Sequence, residues 1–284
     1  MDFNPYIYHL SNYASRDQWQ NVTVELCREV ITNILNNEPT KESWLALQEL
    51  LGAWPNADDV AQWVADLEPQ IEHWPWNMRH SVLGQPPTRA EKQCVYRLVG
   101  YLHIENIEDG GPKLRKWCQN QHWQNLKGIS LYKVEAEAED LAVFLQSPYL
   151  RQLGALELRA LDSLSGKLGI LFDSAELPQL RELSLLSLNL RSVDLVSLSQ
   201  TELGRQLIKL NLSGNFIHDH DLRLLMNPAS FSRLQILDLS YTSISAVELK
   251  EALATLNHPA LKRLVFEGTS AARSMGCSSI DDLT

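Results

Sequence analysis

The sequence predicts an α/β solenoid of seven strand-helix units repeating with a period of 27, with a parallel sheet on its concave face, behind an α-helical N-terminal domain. Three observations predict it. The pattern LxxLxL recurs seven times, and the last members of the triplets stand in one unbroken register at Ile104, Leu131, Leu158, Leu185, Leu212, Leu239 and Phe266. A second apolar ladder, Leu114, Leu141, Leu168, Leu195, Leu222 and Leu249, keeps the same interval. All eight Trp lie between Trp19 and Trp123, ahead of the Leu-rich region.

Residues 1–98 do not repeat and read as helices. Arg16 to Asn36 places Trp19, Val22, Leu26, Val30 and Ile34 near helical spacing. Lys41 to Leu51 does the same with Trp44, Leu47, Leu50 and Leu51, and Asp58 to Leu67 with Val60, Trp63, Val64 and Leu67. Prolines 55, 69, 75, 86 and 87 punctuate the helices. Thr88 and Glu91 form a capping box that opens a helix leading into the first repeat strand. The Trp residues are expected to pack as a cap on the open end of the repeat core, a requirement of stacked repeats. Trp74 and Trp76, in the run Glu72 to Asn77, also raise the question of a binding box, although aromatic clusters mostly pack interiors.

Residues 99–269 hold the repeats, from the triplet Val99, Leu102, Ile104 to the triplet Leu261, Leu264, Phe266. Alternation in LxL sends two side chains to one face of a short strand, while Leu141 has Phe144 and Leu145, and Leu222 has Leu225 and Met226, at helical intervals. One such unit cannot bury its apolar side alone. At roughly 2 kcal/mol per buried Leu before entropy, a unit is stable only between neighbours. This pattern resembles the leucine-rich-repeat family, and the long helical stretch of each unit is most similar to its ribonuclease-inhibitor-like branch. The resemblance covers about 170 of the 284 residues. A helical domain ahead of such repeats is also similar to many bacterial repeat proteins. The chain departs from the family three residues after each triplet, where Asn is usual: it has Ile107, Val134, Leu161, Leu188, Asn215, Thr242 and Thr269. Backbone or water is therefore expected to satisfy the turns of the early units. The stretch from Ser270 to Thr284 is small, polar and acidic, and a flexible tail is expected there.

Composition narrows the function. A net charge of −10 argues against nucleic acid, whose affinity for proteins comes from clustered cations. No stretch approaches a membrane span, and Met1 to Tyr13 lack the basic-then-apolar order of an export signal, so a cytoplasmic protein is expected. Cys27, Cys94, Cys118 and Cys277 show no metal or disulfide spacing. No cofactor is expected. Ser165-Gly166-Lys167 falls short of a phosphate loop, with Leu161 and Leu168 where Gly and a hydroxyl are required. His218, Asp219, His220 and Asp221 alternate as metal ligands could, yet acids at a helix start also suit the helix dipole. Glu135, Glu137, Glu139 and Asp140 read as a solvated face.

The positions beside the leucines must line the opposite, concave wall. Tyr101, His103, Glu105, Tyr132, Glu157, Arg159, Glu182, Leu186, Lys209, Asn211, Asp238, Arg263 and Glu267 are the candidate partner-binding residues. Their mixture of acids, Arg and aromatic side chains suits a protein interface. The expected function is non-catalytic binding of another protein, one concrete form being neutralisation of a basic enzyme or toxin. Two alternatives stand beside it. One is an enzyme or effector using His73, His80 and Asp58 or Asp59 of the helical domain, with the repeats presenting substrate. The other is a scaffold that self-associates through an uncapped last strand near Phe266.

Overall fold

A computed structural model describes residues 23–54, 57–83, 90–174 and 176–281. The fold is mixed α/β and repeat-like, and its nine strands follow one another in chain order in a mostly parallel sheet. Two compact units divide the chain: Met1–His103 with Gln121–Gly128, and Ile104–Asn120 with Ile129–Thr284.

In the first unit, helix α1 (Val24–Leu35) starts where the Thr23 hydroxyl accepts a bond from the Leu26 amide at 3.2 Å. It buries Cys27, Val30, Ile31 and Ile34, and burial pushes the Cys27 thiol up to about 11, so this sulfur stays protonated and unreactive. Helix α2 (Lys41–Ala53) is capped in the same way by Thr40 and buries Trp44, Leu47, Leu50 and Leu51. Helix α3 (Ala57–Ile71) buries Val60, Val64 and Leu67 of the four residues read from the sequence, leaves Trp63 half-buried, and buries Ile71 beyond them. The first part of the helix expected from Arg16, with Trp19 and Val22, lies outside the described residues, as does Thr88 of the capping box.

Two features of this unit differ from an all-helical domain. Residues Ala90–Leu98 form a 3-10 helix rather than an α-helix, and a short strand, β1 (His80–Val82), precedes it. Strand β1 pairs in parallel with the start of β2 (Tyr101–Ile107), His80 opposite Tyr101 and Val82 opposite His103. Three residues are too few to show a period in the sequence, and the inward side chain is Ser81, which carries no apolar signal.

The second unit is organised by one number. Strands β4 (Ala155–Arg159), β5 (Glu182–Leu186), β6 (Lys209–Asn211), β7 (Ile236–Asp238) and β8 (Arg263–Val265) pair in parallel. Leu156 stands opposite Leu183, Leu183 opposite Leu210, Leu210 opposite Leu237 and Leu237 opposite Leu264, always one period of 27 apart. With β2 and β3 (Gly128–Val134), a strand stands at every one of the seven triplets. The second ladder lies on α4 (Gly110–Trp117), α5 (Ala138–Leu145), α6 (Leu168–Ser174), α7 (Ser192–Gln200), α9 (Asp219–Leu225) and α10 (Ala246–Ala254). Between α7 and β6 runs α8 (Glu202–Gln206). Both ladders are buried throughout.

At or just beyond the end of each strand from β2 to β8 stands a residue with positive φ: Asn106, Lys133, Ala160, Ser187, Gly214, Tyr241 and Gly268, again 27 apart. Five of the seven are not glycine, although a side chain in this region costs about 1–2 kcal/mol. Their amides show why the geometry persists. Ala160 donates to Leu186 O at 3.0 Å, Ser187 to Ser213 O at 3.1 Å, Gly214 to Ser240 O at 3.0 Å and Tyr241 to Glu267 O at 2.7 Å. Backbone thus closes these turns, as expected where Asn is missing. Asn215, buried, accepts from the Leu188 and Leu190 amides and donates to the Leu185 and Leu212 carbonyls, whereas the Thr242 and Thr269 hydroxyls donate to the carbonyl just after their own strand, Leu239 O and Phe266 O.

A carboxylate three residues into several helices does comparable work. Asp140 accepts from the Glu137 amide, Asp194 from Arg191 and Asp221 from His218. Asp140 also pairs with Arg115 at 2.6 Å, so the acidic run before α5 is more than a solvated face. Asp194, buried, reaches back one unit and accepts the Gly166 and Leu168 amides at 2.9 and 3.0 Å. In the Ser165-Gly166-Lys167 stretch, the Gly166 N–H therefore already holds a carboxylate, and the Lys167 N–H donates to the Leu164 carbonyl.

The expected tail is a correction. Residues Ser270–Met275 form α11, capped by Thr269, and Ser279–Asp281 form β9, which pairs antiparallel with β8. Too short for a periodic signal, these residues are ordered by the open edge of β8, whose backbone groups need partners. The same pairing covers the β8 edge near Phe266 and makes β9 the last strand of the sheet.

Asp194→Ala is expected to destabilise the protein by about 3 kcal/mol, because three amides lose their acceptor at once. Thermal unfolding checks this; a melting temperature like that of the unsubstituted protein would contradict the role given to Asp194.

Candidate functional site

The sheet face away from the leucines carries the candidate residues. In the first unit, Tyr101 and His103 alternate with buried Leu102 on β2, so both rings lie on one side. Tyr101 stacks between two neighbours: His80, ring centroid at 4.7 Å, and Trp76, at 6.1 Å, each within 12° of parallel. His80 Nδ1 lies 2.8 Å from His103 Nε2. The His80 carbonyl is held by Trp44 Nε1 at 2.7 Å and by Gln48 Nε2. Gly128 makes room for the stack, since a Cβ there would fall 2.3 Å from the Tyr101 ring and 3.1 Å from Trp76. The two Trp of the Glu72 to Asn77 run thus separate: Trp74 is buried, and Trp76 is half-buried against Tyr101. Burial and the neighbouring His103 lower the affinity of His80 for a proton, opposed by a bond to the Asn77 backbone. His73 and Asp59, its suggested companions in proton transfer, are exposed, and the imidazole brought against His80 is His103. The side chain of Asp58 lies outside the described residues.

In the second unit, Tyr132 on β3 is the centre of a cationic cluster. The Arg159 guanidinium stands 4.9 Å and the Lys133 ammonium 5.2 Å from its ring centroid. Further along, Lys209 lies 3.7 Å from Glu182 one strand away, and Leu186 is half-buried. Glu157 and Asp238 are held differently. The buried Ser130 hydroxyl donates to Glu157 at 3.1 Å, and Asp238 accepts from the Ser240 amide at 2.9 Å. The Ser213 hydroxyl sits 2.7 Å from Asn211 Oδ1 and 3.2 Å from Asp238 Oδ1. Glu267 accepts from the Tyr241 hydroxyl at 3.4 Å, and Glu105 is exposed. Arg263 pairs at 3.0 Å with Asp281 of β9, a partner that sequence reasoning missed because that strand was read as tail. The basic side chains of this face are therefore engaged by an aromatic ring or an acid, while Glu157 and Asp238 are held by hydroxyls and an amide.

Beyond the strand ends lies a groove of about 670 Å³, lined by Asp109, Glu135, Glu137, Asp140 and Asp162 with Lys133. Sequence reasoning saw its middle acids as one run and did not bring them together with Asp109 and Asp162, each one unit away. At the start of α9, Asp221 caps the helix and His220 bonds its neighbours. Asp221 is buried and accepts the His218 amide at 3.0 Å, its other oxygen is 3.3 Å from His220 Nε2, and His220 bonds Ser192 Oγ at 2.8 Å. Among the described residues, no group of three or more His, Cys, Asp or Glu is placed to hold a metal ion, and no helix is long and apolar enough to cross a membrane.

Gly128→Ala is expected to push Tyr101 off its stack with Trp76 and cost about 1–3 kcal/mol as an overpacked contact. Introduced into a Tyr101→Ala background, the same change should cost much less in thermal unfolding; an equal loss in both backgrounds would contradict the contact.

No family model matches the chain, and no curated protein matches it. Solved structures do. One is a Bacteroides fragilis protein determined by structural genomics, 13% identical, with a TM-score of 0.35 over 72% of this chain and 83% of that one. Another is the complex of Rad7 and Elc1 in yeast, 11% identical, with a TM-score of 0.47 over 95% of this chain and 75% of that one. The fold described above rests on strand pairing and burial within the chain itself.

Proposed function

We propose that the chain is a leucine-rich-repeat protein of the ribonuclease-inhibitor-like branch, with a helical N-terminal cap of the bacterial kind, and that it binds a protein partner without catalysis. The binding surface is the sheet face away from the leucines, which in a solenoid of this branch is the concave wall. The partner is a basic protein, such as an enzyme or toxin that this chain neutralises in the cytoplasm.

The observation that carries the reading is the state of the charges on that face. Lys209 and Arg263 already face acids and Arg159 lies over Tyr132, whereas Glu157 and Asp238 are fixed in place by hydroxyls and an amide. Carboxylates fixed in this way are preorganised for incoming Lys or Arg side chains and raise association rates with a cationic partner. The acidic groove beyond the strand ends and the net charge of −10 add to the same field.

The test is capture of basic proteins by the purified chain, followed by affinity measurement for the captured partner at low and high salt. Glu157→Lys, Glu182→Lys and Asp238→Lys together should weaken binding roughly 10–100-fold and flatten its salt dependence. A partner held equally well by the folded triple variant sinks the proposal.

A further inference from the structure

The pair formed by His80 and His103 does something that packing alone does not require. A hydrogen bond between two imidazoles needs one N–H and one bare nitrogen, and the 2.8 Å separation of His80 Nδ1 and His103 Nε2 is that of such a bond. The neutral pair carries two ring protons and satisfies this. A third proton, on the far nitrogen of the donor ring, leaves the bond intact and strengthens it, since the donor is then an ion. A fourth leaves no bare nitrogen. The facing atoms then both bear hydrogen, both rings carry positive charge, and the contact cannot persist at this distance.

We propose that His80 and His103 form a proton-operated latch beside the Tyr101 ring, closed with up to one added proton and opened by the second. The His80 backbone is pinned through its carbonyl by Trp44 and Gln48, and its ring stacks on Tyr101 at 4.7 Å. The half-buried His103 ring also lies 4.9 Å from Tyr101, so separation of the two imidazoles changes the environment of Tyr101. The charged or titratable groups that bear on His80 are His103 from β2 and Lys41 from the start of α2, and both oppose a charge there. The turn at Trp76–Met78 contributes the Asn77 backbone, which favours it. Arg79, next in the chain, donates to the Leu98 carbonyl. His80 is therefore a ring that resists taking a proton while His103 stands beside it.

The stability consequence has a definite sign. The folded chain resists charging His80, while the unfolded chain takes that proton near the ordinary value of 6.5. The contribution is complete above 6.5 and is lost as the pH falls through the lower value of the folded state.

The experiment is an NMR titration of the full chain labelled at histidine and tyrosine, carried from above the ordinary histidine range to below it. His80 and His103 are expected to titrate in two separated, mutually dependent steps, and the Tyr101 ring resonances to move with the lower step. In His103→Gln, His80 should titrate in one step at higher pH, and the lower Tyr101 transition should vanish. Independent titration of the two rings in the unsubstituted protein overturns the latch. So does a Tyr101 signal that stays fixed through the lower step, or a His80 midpoint that His103→Gln leaves unchanged. If that variant does not fold, the titration of the unsubstituted chain decides alone.

Discussion

Every strand of the second unit from β4 to β7 pairs with the next at the same separation, one period of 27, so that each repeat position is stacked on its own equivalent. This constraint is what the other features depend on. Leucine meets leucine on one face, and the helix ladder from Leu114 to Leu249 stays buried because no insertion shifts a unit against its neighbour. It also fixes backbone chemistry: the left-handed residue at or just beyond each strand end offers its amide to the same carbonyl of the next unit, from Ala160 to Tyr241. A position whose amide is held by the next unit can tolerate Tyr241 where an isolated turn would call for Gly.

The polar face follows the same rule with a different result. Stacking like on like would place equal charges beside one another, yet the column that holds Glu182 has Lys209 next to it, followed by Ile236 and Arg263. Opposite or neutral neighbours therefore relieve the face internally. Glu157 and Asp238 escape that relief, each paired instead with small hydroxyl residues from adjacent positions. The proposed binding rests on this difference between charges satisfied within the sheet and charges only positioned by it.

Much of the architecture was legible because the repeat is long and constant in phase: two ladders, Ile104 to Phe266 and Leu114 to Leu249, reveal both strand and helix from the order of residues alone. What escaped reading was short or non-periodic. Strand β1 turns a serine inward, and β9 consists of three residues whose order comes from the open edge of β8. Of the candidate face, the positions were readable from alternation, but the partners were not. Trp76 on Tyr101, His80 against His103 and Asp281 on Arg263 each join segments closer in the chain than one repeat period. Nothing in their local sequence announces such pairings, which arise where the chain packs outside the repeat interval.

The most direct test of the register is thermal unfolding of two deletion variants. Removing residues 183–209, one full period, joins Glu182 to Leu210 and leaves every remaining position over its equivalent. A second deletion, one residue shorter, puts the leucines that follow on the polar face. The account predicts a single cooperative transition for the full-period deletion and loss of cooperative unfolding for the shorter one. Similar melting of the two would contradict the claim that the repeat register holds the fold together.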